Sequence, residues 1–178
     1  MRATILLILL MAMPPALVAQ DFTQDAHSGV ISLTAGFDDD PRVITILAGG
    51  SVDLSGSTQY DCAGFVSDAP DYKIDFTTGS AGLDLSFFAV SEVDTVLLIN
   101  TPDGEWHCND DYGDEFGLSA GLTFDQPLAG VYDIWVGVYD QNDIFAEADL
   151  YITELANLLS QYLTEIDNVS ETSSSGIP

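Results

Sequence analysis

The stretch Gly130-Val131-Tyr132-Asp133-Ile134-Trp135-Val136-Gly137-Val138-Tyr139 alternates with the two-residue period of a β-strand. The side chains at its even positions are one aromatic ring and three aliphatic groups, those of Tyr132, Ile134, Val136 and Val138. In a strand, successive side chains point to opposite faces, so these four would line one face of a sheet. The stretch therefore predicts a strand with one buried face.

The same period recurs on both sides of this strand, over residues 28–154. Alternating segments lie at Ile31–Leu33, Leu83–Phe88, Leu122–Phe124 and Leu150–Ile152, and Val96–Ile99 is continuously apolar, as expected of a strand buried on both faces. Turn-forming residues separate these segments at Asp38–Pro41, Ala48–Gly50, Asp68–Asp71, Thr101–Gly104 and Gln126–Gly130. Short strands with no helix between them predict a single all-β domain, an antiparallel β-sandwich.

Beyond residue 154 the period changes to that of a helix. Apolar side chains follow a three- and four-residue spacing at Leu155, Leu158, Leu159, Tyr162, Leu163 and Ile166. This spacing predicts an amphipathic helix over residues 155–167, followed by a polar, disordered tail over residues 168–178. The apolar stripe either covers the sandwich or contacts a partner or a second copy of the chain, and the sequence leaves both open.

The first residues have the pattern of a secretory signal peptide. Arg2 precedes an apolar run from Ile5 to Met11, two prolines end that run, and small residues follow up to Ala19. The run is shorter than the roughly 20 residues that a membrane-spanning helix needs. Residues 1–19 are therefore predicted to direct export and to be removed, which places the protein in the periplasm or outside the cell.

The chain has two cysteines, Cys62 and Cys108. An even number of cysteines in an exported chain predicts a disulfide bond, with a pair of buried free thiols as the alternative. Closing a loop of about 45 residues would stabilise the fold by roughly 4 kcal/mol.

The charge of the chain excludes two classes of partner. There are 29 Asp and Glu against three Lys and Arg, a formal net charge of -26, and only Arg42 and Lys73 follow the predicted signal peptide. Two cations cannot form the basic surface that nucleic acids or anionic membranes require. The acidity instead suggests bound cations, adaptation to salt, or solubility.

Three segments resemble the bacterial pre-peptidase C-terminal domain family. They are Asp94–Gly104, a strand that ends in a Pro-x-Gly turn, then Trp106–Asp111 with its Asn-Asp-Asp run, then Gly130–Gly137 with its Gly-x-Tyr-x-Ile-x-Val pattern. The resemblance implies a jelly-roll-like β-sandwich related to collagen-binding domains, non-catalytic and in some members calcium-binding. It covers residues 28–154 and leaves the C-terminal helix uncovered.

Oxygen-bearing side chains are densest between residues 103 and 115. Calcium is held by six to eight oxygens from carboxylates, amides and backbone carbonyls. We therefore predict a calcium site here, without the spacing of an EF-hand, and the alternative is a solvated acidic turn. The candidate ligands are Asp103, Asn109, Asp110, Asp111, Asp114 and Glu115.

Trp106, Trp135 and Tyr139 form a candidate binding face, because aromatic rings on an open sheet face can stack on sugars or pack on peptides. The alternative is that the C-terminal helix covers that face. The sequence thus favours a non-catalytic exported module, stabilised by calcium, that contacts an extracellular protein or polysaccharide. A metal-free structural or interaction protein whose acidity is salt adaptation is the alternative.

A hydrolase is the least favoured reading. Gly117–Gly121 matches the Gly-x-Ser-x-Gly pattern of a nucleophile elbow, but no histidine follows Ser119. His27 and His107 are the only histidines, and both are expected in surface or turn positions.

Overall fold

A computed structural model describes residues 20–57, 59–113, 117–159 and 161. The predicted signal peptide, and the predicted helix and tail beyond residue 161, lie outside the described residues. Eleven strands between Val30 and Thr153 form two sheets, which agrees with the prediction of a mostly β chain. Among the described residues, no helix is both long and apolar enough to cross a bilayer.

The larger sheet contains seven strands, β1 (Val30–Thr34), β3 (Val52–Asp53), β4 (Phe65–Val66), β5 (Tyr72–Thr77), β7 (Thr95–Asn100), β8 (Trp106–Asn109) and β10 (Gly130–Val138). The smaller sheet contains four, in the order β2 (Arg42–Ala48), β11 (Ala146–Thr153), β6 (Leu85–Val90) and β9 (Ala120–Phe124). The two sheets face each other in a sandwich-like arrangement, because apolar side chains from both meet in one core.

The alternating strand Gly130–Val138, β10, lies at the centre of the larger sheet. One of its edges pairs antiparallel with β7 from Asp133 to Val138. The other edge pairs with β5 from Gly130 to Ile134 and then with β4 at Val138. The even positions of β10 point into the core between the sheets, as its period predicts, and Ile134, Val136 and Val138 are fully buried.

One pairing differs from the antiparallel prediction. β1 pairs with β5 in parallel, with Val30 opposite Lys73 and Thr34 opposite Thr77. The chain leaves β1 for β2 in the other sheet instead of turning back on itself. No hairpin therefore imposes an antiparallel direction on β1, and it joins the edge of the larger sheet alongside β5.

A second apolar cluster covers the outer face of the larger sheet. Trp135 lies at its centre, fully buried, and Trp106 packs against it with ring centroids 5.2 Å apart. The predicted disulfide between Cys62 and Cys108 is confirmed, with 5.9 Å between the Cα atoms, and it ties the segment before β4 to β8. This cross-link holds a loop segment over the sheet face, and so both faces of β10 are buried.

The structure describes only the beginning of the predicted C-terminal helix. Residues 156–159 and 161 are helical. Leu159 is buried against Phe88 and Tyr151 on the outer face of the smaller sheet, whereas Leu155 and Leu158 are largely exposed. This described part packs on the smaller sheet, as the first of the two alternatives predicts, and a contact with a partner or a second copy stays an open alternative.

Removing the disulfide should lower the stability of the fold. Replacing both Cys62 and Cys108 by Ser frees a loop of 46 residues in the unfolded chain. We expect the free energy of unfolding to fall by up to about 4 kcal/mol, as measured by urea denaturation. A reduced wild-type protein should match the double variant, and an unchanged urea midpoint would show that the bond does not stabilise the native state.

Candidate functional site

The described structure has a groove of about 780 Å³ at one lateral edge of the sandwich. We call it the edge groove. β2, which ends the smaller sheet, forms one wall, and the chain just before β1 and just before β5 forms the other. Its lining residues are His27, Ser28, Thr45, Ile46, Leu47, Gly49, Gly50, Ser51, Ser67, Asp68, Asp71, Gln141, Ile144 and Phe145.

The rim of the edge groove carries two exposed apolar side chains. Leu47 is 60% exposed and Phe145 is 72% exposed, although both are of a type that usually buries most of its surface. Ile144 lies beside Phe145 and is only partly buried. A ligand that covered this rim would gain free energy from the apolar area that it removes from water.

Phe145 also has a strained backbone. Its φ angle is 73°, and it is the only described residue other than glycine with a positive φ. A bulky side chain in this region is disfavoured by about 1–2 kcal/mol. The conformation is held by a hydrogen bond of 2.8 Å from the Phe145 N–H to the carbonyl of Ala48. Strain of this kind concentrates at functional sites, which makes the exposed ring a candidate contact for a ligand.

The inner end of the edge groove is built on a gap in the hydrogen bonding of β10. At Val136, β10 pairs with β7 on one edge but has no neighbouring strand on the edge that it shares with β5 and β4. The carboxylate of Asp71 fills the gap by accepting a hydrogen bond of 2.8 Å from the Val136 N–H. The Val136 carbonyl accepts from the Gly49 N–H, also at 2.8 Å. Both backbone groups of Val136 are thus satisfied without a strand.

Two glycines make this junction possible. Gly49 has a φ of 90°, which an L-amino acid rarely adopts, and it turns the chain from β2 toward the larger sheet. A Cβ atom on Gly50 would overlap the backbone of Val66 and Ser67. The Ala48-Gly49-Gly50 break, interpreted from sequence as a turn, is therefore also a close approach between the two sheets.

Asp71 is a buried carboxylate with a perturbed acidity. It is only 3% exposed, and its burial raises its pKa to about 6, an effect that the Val136 N–H, His27 and the Ser67 hydroxyl partly oppose. Ser67 Oγ lies 3.3 Å from Asp71 Oδ1. A carboxylate whose ionised form is this poorly solvated would favour a cationic group brought close to it.

His27 lies over Asp71 at the mouth of the edge groove. Its Nδ1 is 3.6 Å from Asp71 Oδ1, and its side chain is 53% exposed. The sequence predicted a surface or turn histidine near a mobile end, and the exposure agrees. The position is fixed, however, because the backbone N–H groups of His27 and Ser28 donate to the carbonyls of Pro70 and Asp71 at 2.9 and 2.8 Å.

An imidazole beside a carboxylate suggests general-base chemistry, but the geometry here does not favour it. The distance of 3.6 Å is too long for a hydrogen bond, and Asp71 already accepts from a backbone N–H. The nearby Ser67 hydroxyl donates to the carbonyl of Ala69 at 2.7 Å.

The predicted calcium ligands are divided between two ends of one hairpin. Asp103 lies in the turn between β7 and β8, where its carboxylate accepts from the hydroxyl of Thr101 at 2.6 Å. Asp110 and Asp111 follow the last residue of β8, Asn109, which pairs with Leu97 near the start of β7. They therefore lie at the end of the hairpin that is opposite to the turn. Asp103 therefore does not join the others, and Asp114 and Glu115 lie outside the described residues.

Asn109 has a structural role in this hairpin. Its side-chain oxygen accepts from the Gly121 N–H at 2.9 Å, and its amide donates to the carbonyl of Asp111 at 3.0 Å. Both interactions tie the end of β8 to neighbouring backbone. With its oxygen already used in this way, Asn109 is a poorer calcium ligand than its residue type suggests.

The acidic residues that do gather surround Asp94, which precedes β7. Burial raises the pKa of Asp94, and the carboxylates of Asp111, Asp110 and Asp143 raise it further. Its Oδ1 is buried without a hydrogen-bond partner. Over the described ranges, no three His, Cys, Asp or Glu side chains come close enough together to hold a metal ion. Calcium binding therefore stays a prediction.

The predicted aromatic binding face is not an open surface. Trp135 is fully buried under Trp106, and Tyr60 packs on Trp106 from the other side with ring centroids 5.2 Å apart. Tyr139 is 51% exposed but lies beyond the end of β10. The disulfide-linked segment covers the face, because Cys62 holds that segment against β8.

Sequence reasoning missed the edge groove. Asp71 belongs to an Asp-Ala-Pro-Asp turn, one of many acidic turns in the chain, and nothing in its spacing marks it as buried. The pairing of distant segments brings it beneath His27. The sequence matches no protein-family model and no curated protein, so the resemblance to the pre-peptidase C-terminal domain stays a prediction.

The buried Asp71 carboxylate should make stability depend on pH. Its pKa is raised from 3.8 to about 6 in the folded state, so the folded protein binds the proton more tightly than the unfolded chain does. The contribution of this group to stability therefore falls as the pH rises from about 4 to about 6. We expect urea denaturation to show that Asp71→Asn, which keeps an acceptor for Val136, gains stability relative to wild type over this range.

Asp84→Asn is the matched control, since Asp84 is an exposed residue before β6. This variant also removes one negative charge. Parallel stability profiles for wild type and Asp71→Asn between these pH values would show that the buried carboxylate is not the titrating group.

Asp94→Asn should stabilise the protein at neutral pH. Because burial and neighbouring carboxylates raise the pKa of Asp94, its ionised form is disfavoured in the folded state. The amide removes that repulsion, and we expect a higher urea midpoint at low ionic strength. The gain should shrink as sodium chloride screens the Coulombic part, and a midpoint below that of wild type would contradict the interpretation.

The same variant tests the calcium prediction. If calcium binds at this end of the hairpin, micromolar calcium should raise the melting temperature of wild type more than sodium chloride does at equal ionic strength. Asp94→Asn should lose that extra increment. Equal effects of the two salts on wild type would favour screening of a diffuse acidic surface.

Proposed function

We propose that this chain is an exported, non-catalytic module with a jelly-roll-like β-sandwich fold. It binds an extracellular or envelope partner through the edge groove. The observation that carries the proposal is the combination of an exposed apolar rim with a buried carboxylate at the inner end. Clefts lined by apolar side chains with a few convergent polar groups are the usual form of a binding site.

Two further observations support the proposal. The strained backbone of Phe145 holds an apolar ring out in solvent, and strain of this kind concentrates at functional sites. The disulfide between Cys62 and Cys108 is typical of proteins that fold in an oxidising compartment, which supports export.

The alternative is a metal-free structural or interaction protein whose acidity is adaptation to salt. The carboxylates around Asp94 favour it, since they repel one another, and the two basic residues of the described structure are paired with other carboxylates, Asp39 and Asp133. Under this alternative, stability would rise with sodium or potassium chloride, and the edge groove would bind nothing specifically.

Phe145→Gly separates binding from stability. Glycine adopts a positive φ without strain, and the Phe145 ring is mostly exposed, so the variant should be more stable by about 1 kcal/mol. We expect the same variant to lose ligand binding, because it removes the larger apolar contact at the rim. Ligands are selected from a phage library of random peptides and from an array of purified polysaccharides, using wild-type protein.

Leu128→Ser is the control for this experiment. Leu128 is another exposed apolar residue, 46% exposed, and it does not line the edge groove. Ligands retained by wild type and Leu128→Ser but lost by Phe145→Gly would support the proposal. Ligands that bind Phe145→Gly as tightly as wild type would place binding elsewhere, and hydrolysis of a ligand that depends on His27 would make the protein an enzyme.

A further inference from the structure

The edge groove follows the backbone of a strand with an open edge. β2 pairs with β11 on one side, and in the described part of the chain no strand pairs with its other side. Thr45, Ile46 and Leu47 are consecutive, so their side chains point alternately to opposite faces, yet all three line the same groove. A groove on one face of the sheet would contact only every second residue. The edge groove therefore runs along the unpaired backbone edge of β2, which all three residues share.

Beyond its first residue, Arg42, which follows Pro41, β2 lacks the features that protect an open edge. From Val43 to Ala48 the strand contains no charged residue and no proline. Natural sheets usually protect edges with lysine, proline or inward-pointing charges, because unpaired N–H and C=O groups attract another strand. In a chain with 29 acidic residues, a run of uncharged residues along an open edge is compatible with pairing to a second chain.

The charge of the edge groove specifies the kind of chain that would fit. Asp68 and Asp71 line it, and no Lys or Arg does. The two basic residues of the described structure are already engaged, Arg42 with Asp39 at 3.2 Å and Lys73 with Asp133 at 2.9 Å. A second copy of this chain would bring a net charge of -26 to the same place, so self-pairing is disfavoured.

The two carboxylates differ in what they offer to a cation. Asp68 is exposed, and one of its oxygens accepts from the Ala69 N–H at 2.9 Å while the other has only a long contact of 3.5 Å with the Gln24 side chain. Asp71 is buried, and a cation near it would offset the desolvation of its ionised form. Both lie at one end of a groove whose rim is otherwise apolar.

We propose that the edge groove binds an extended peptide as an additional strand along β2, with a lysine or arginine side chain of that peptide directed toward Asp68 and Asp71. The inference deepens the proposed function and rests on it. Main-chain hydrogen bonds to β2 supply affinity, and alternate side chains of the peptide contact Leu47 and Phe145 on the rim. Selectivity for a basic residue comes from the carboxylates.

The test uses the full exported chain, from residue 20 onward, and synthetic peptides of alternating Val and Thr labelled with fluorescein. The central residue is Lys in one peptide, and Gln or Glu in two others. We expect fluorescence polarisation to show tightest binding for Lys, roughly tenfold weaker binding for Gln, and none for Glu, since only Lys can form a charge-assisted hydrogen bond with the carboxylates.

Two arms separate strand addition from simple occupancy of the groove. In one, the Lys peptide is N-methylated at alternate residues in two registers. Only the register whose N–H groups face β2 should lose binding, because successive N–H groups of a strand point to opposite sides. In the other, Asp68→Asn should weaken the Lys peptide about tenfold and leave the Gln peptide unchanged, whereas Asp84→Asn should change neither.

The outcomes distinguish the two proposals. If both N-methylated registers bind equally, or if Lys and Gln peptides bind equally, the inferred peptide strand is wrong. The edge groove would still be the binding site if a polysaccharide or another peptide class is lost in Phe145→Gly. If the Lys peptide binds Phe145→Gly and wild type equally, both the peptide strand on this rim and the proposed function fail.

Discussion

The hydrogen bond from the Val136 N–H to the Asp71 carboxylate is the contact on which the edge groove depends. β10 is the central strand of the larger sheet, and at Val136 the edge that it shares with β5 and β4 has no neighbouring strand. A side chain therefore completes the pairing at that point. The carbonyl of Val136 itself accepts a hydrogen bond from the N–H of Gly49, which follows β2 of the opposite sheet. The two sheets are thus joined by hydrogen bonds as well as by their shared core.

This arrangement explains why a cavity forms here. A regular strand at the same position would fill the space between β5 and β4 and bring side chains into it. A single carboxylate and a glycine satisfy the same backbone groups with much less volume. The missing strand therefore has two effects. It places the Asp71 carboxylate in a buried position, which raises its pKa, and it leaves the space of the edge groove in front of that carboxylate.

The strands of this fold could be predicted from the sequence because their periodicity is local. The alternation from Tyr132 to Val138 is visible within β10 itself, and the cysteine count was enough to predict the Cys62–Cys108 bond. Pairing between strands is not local. The parallel direction of β1 depends on which sheet the chain enters next, and the burial of Trp135 depends on a segment far away in sequence.

The candidate site could not be predicted for a related reason. Aspartate is so common in the turns of this chain that its presence does not distinguish a ligand from a turn residue. Asp103 and Asp110 are close in sequence, but the hairpin of β7 and β8 sends them to opposite ends. Asp71 and His27 are far apart in sequence, and the pairing of residues 27 and 28 with Pro70 and Asp71 brings them together.

The scarcity of basic residues also affects how the folded chain meets proteases. Enzymes that cleave after lysine or arginine have two target positions after residue 19, Arg42 and Lys73. Arg42 begins β2, where Ile152 is its partner in β11, and Lys73 lies within β5 with its ammonium group held by Asp133 and the carbonyl of Phe22. Proteolysis requires a segment that can leave the fold and extend in the active site of the protease, and both positions are in paired strands. We therefore expect trypsin-like enzymes to cleave the described domain only after the strand that holds the target bond has opened.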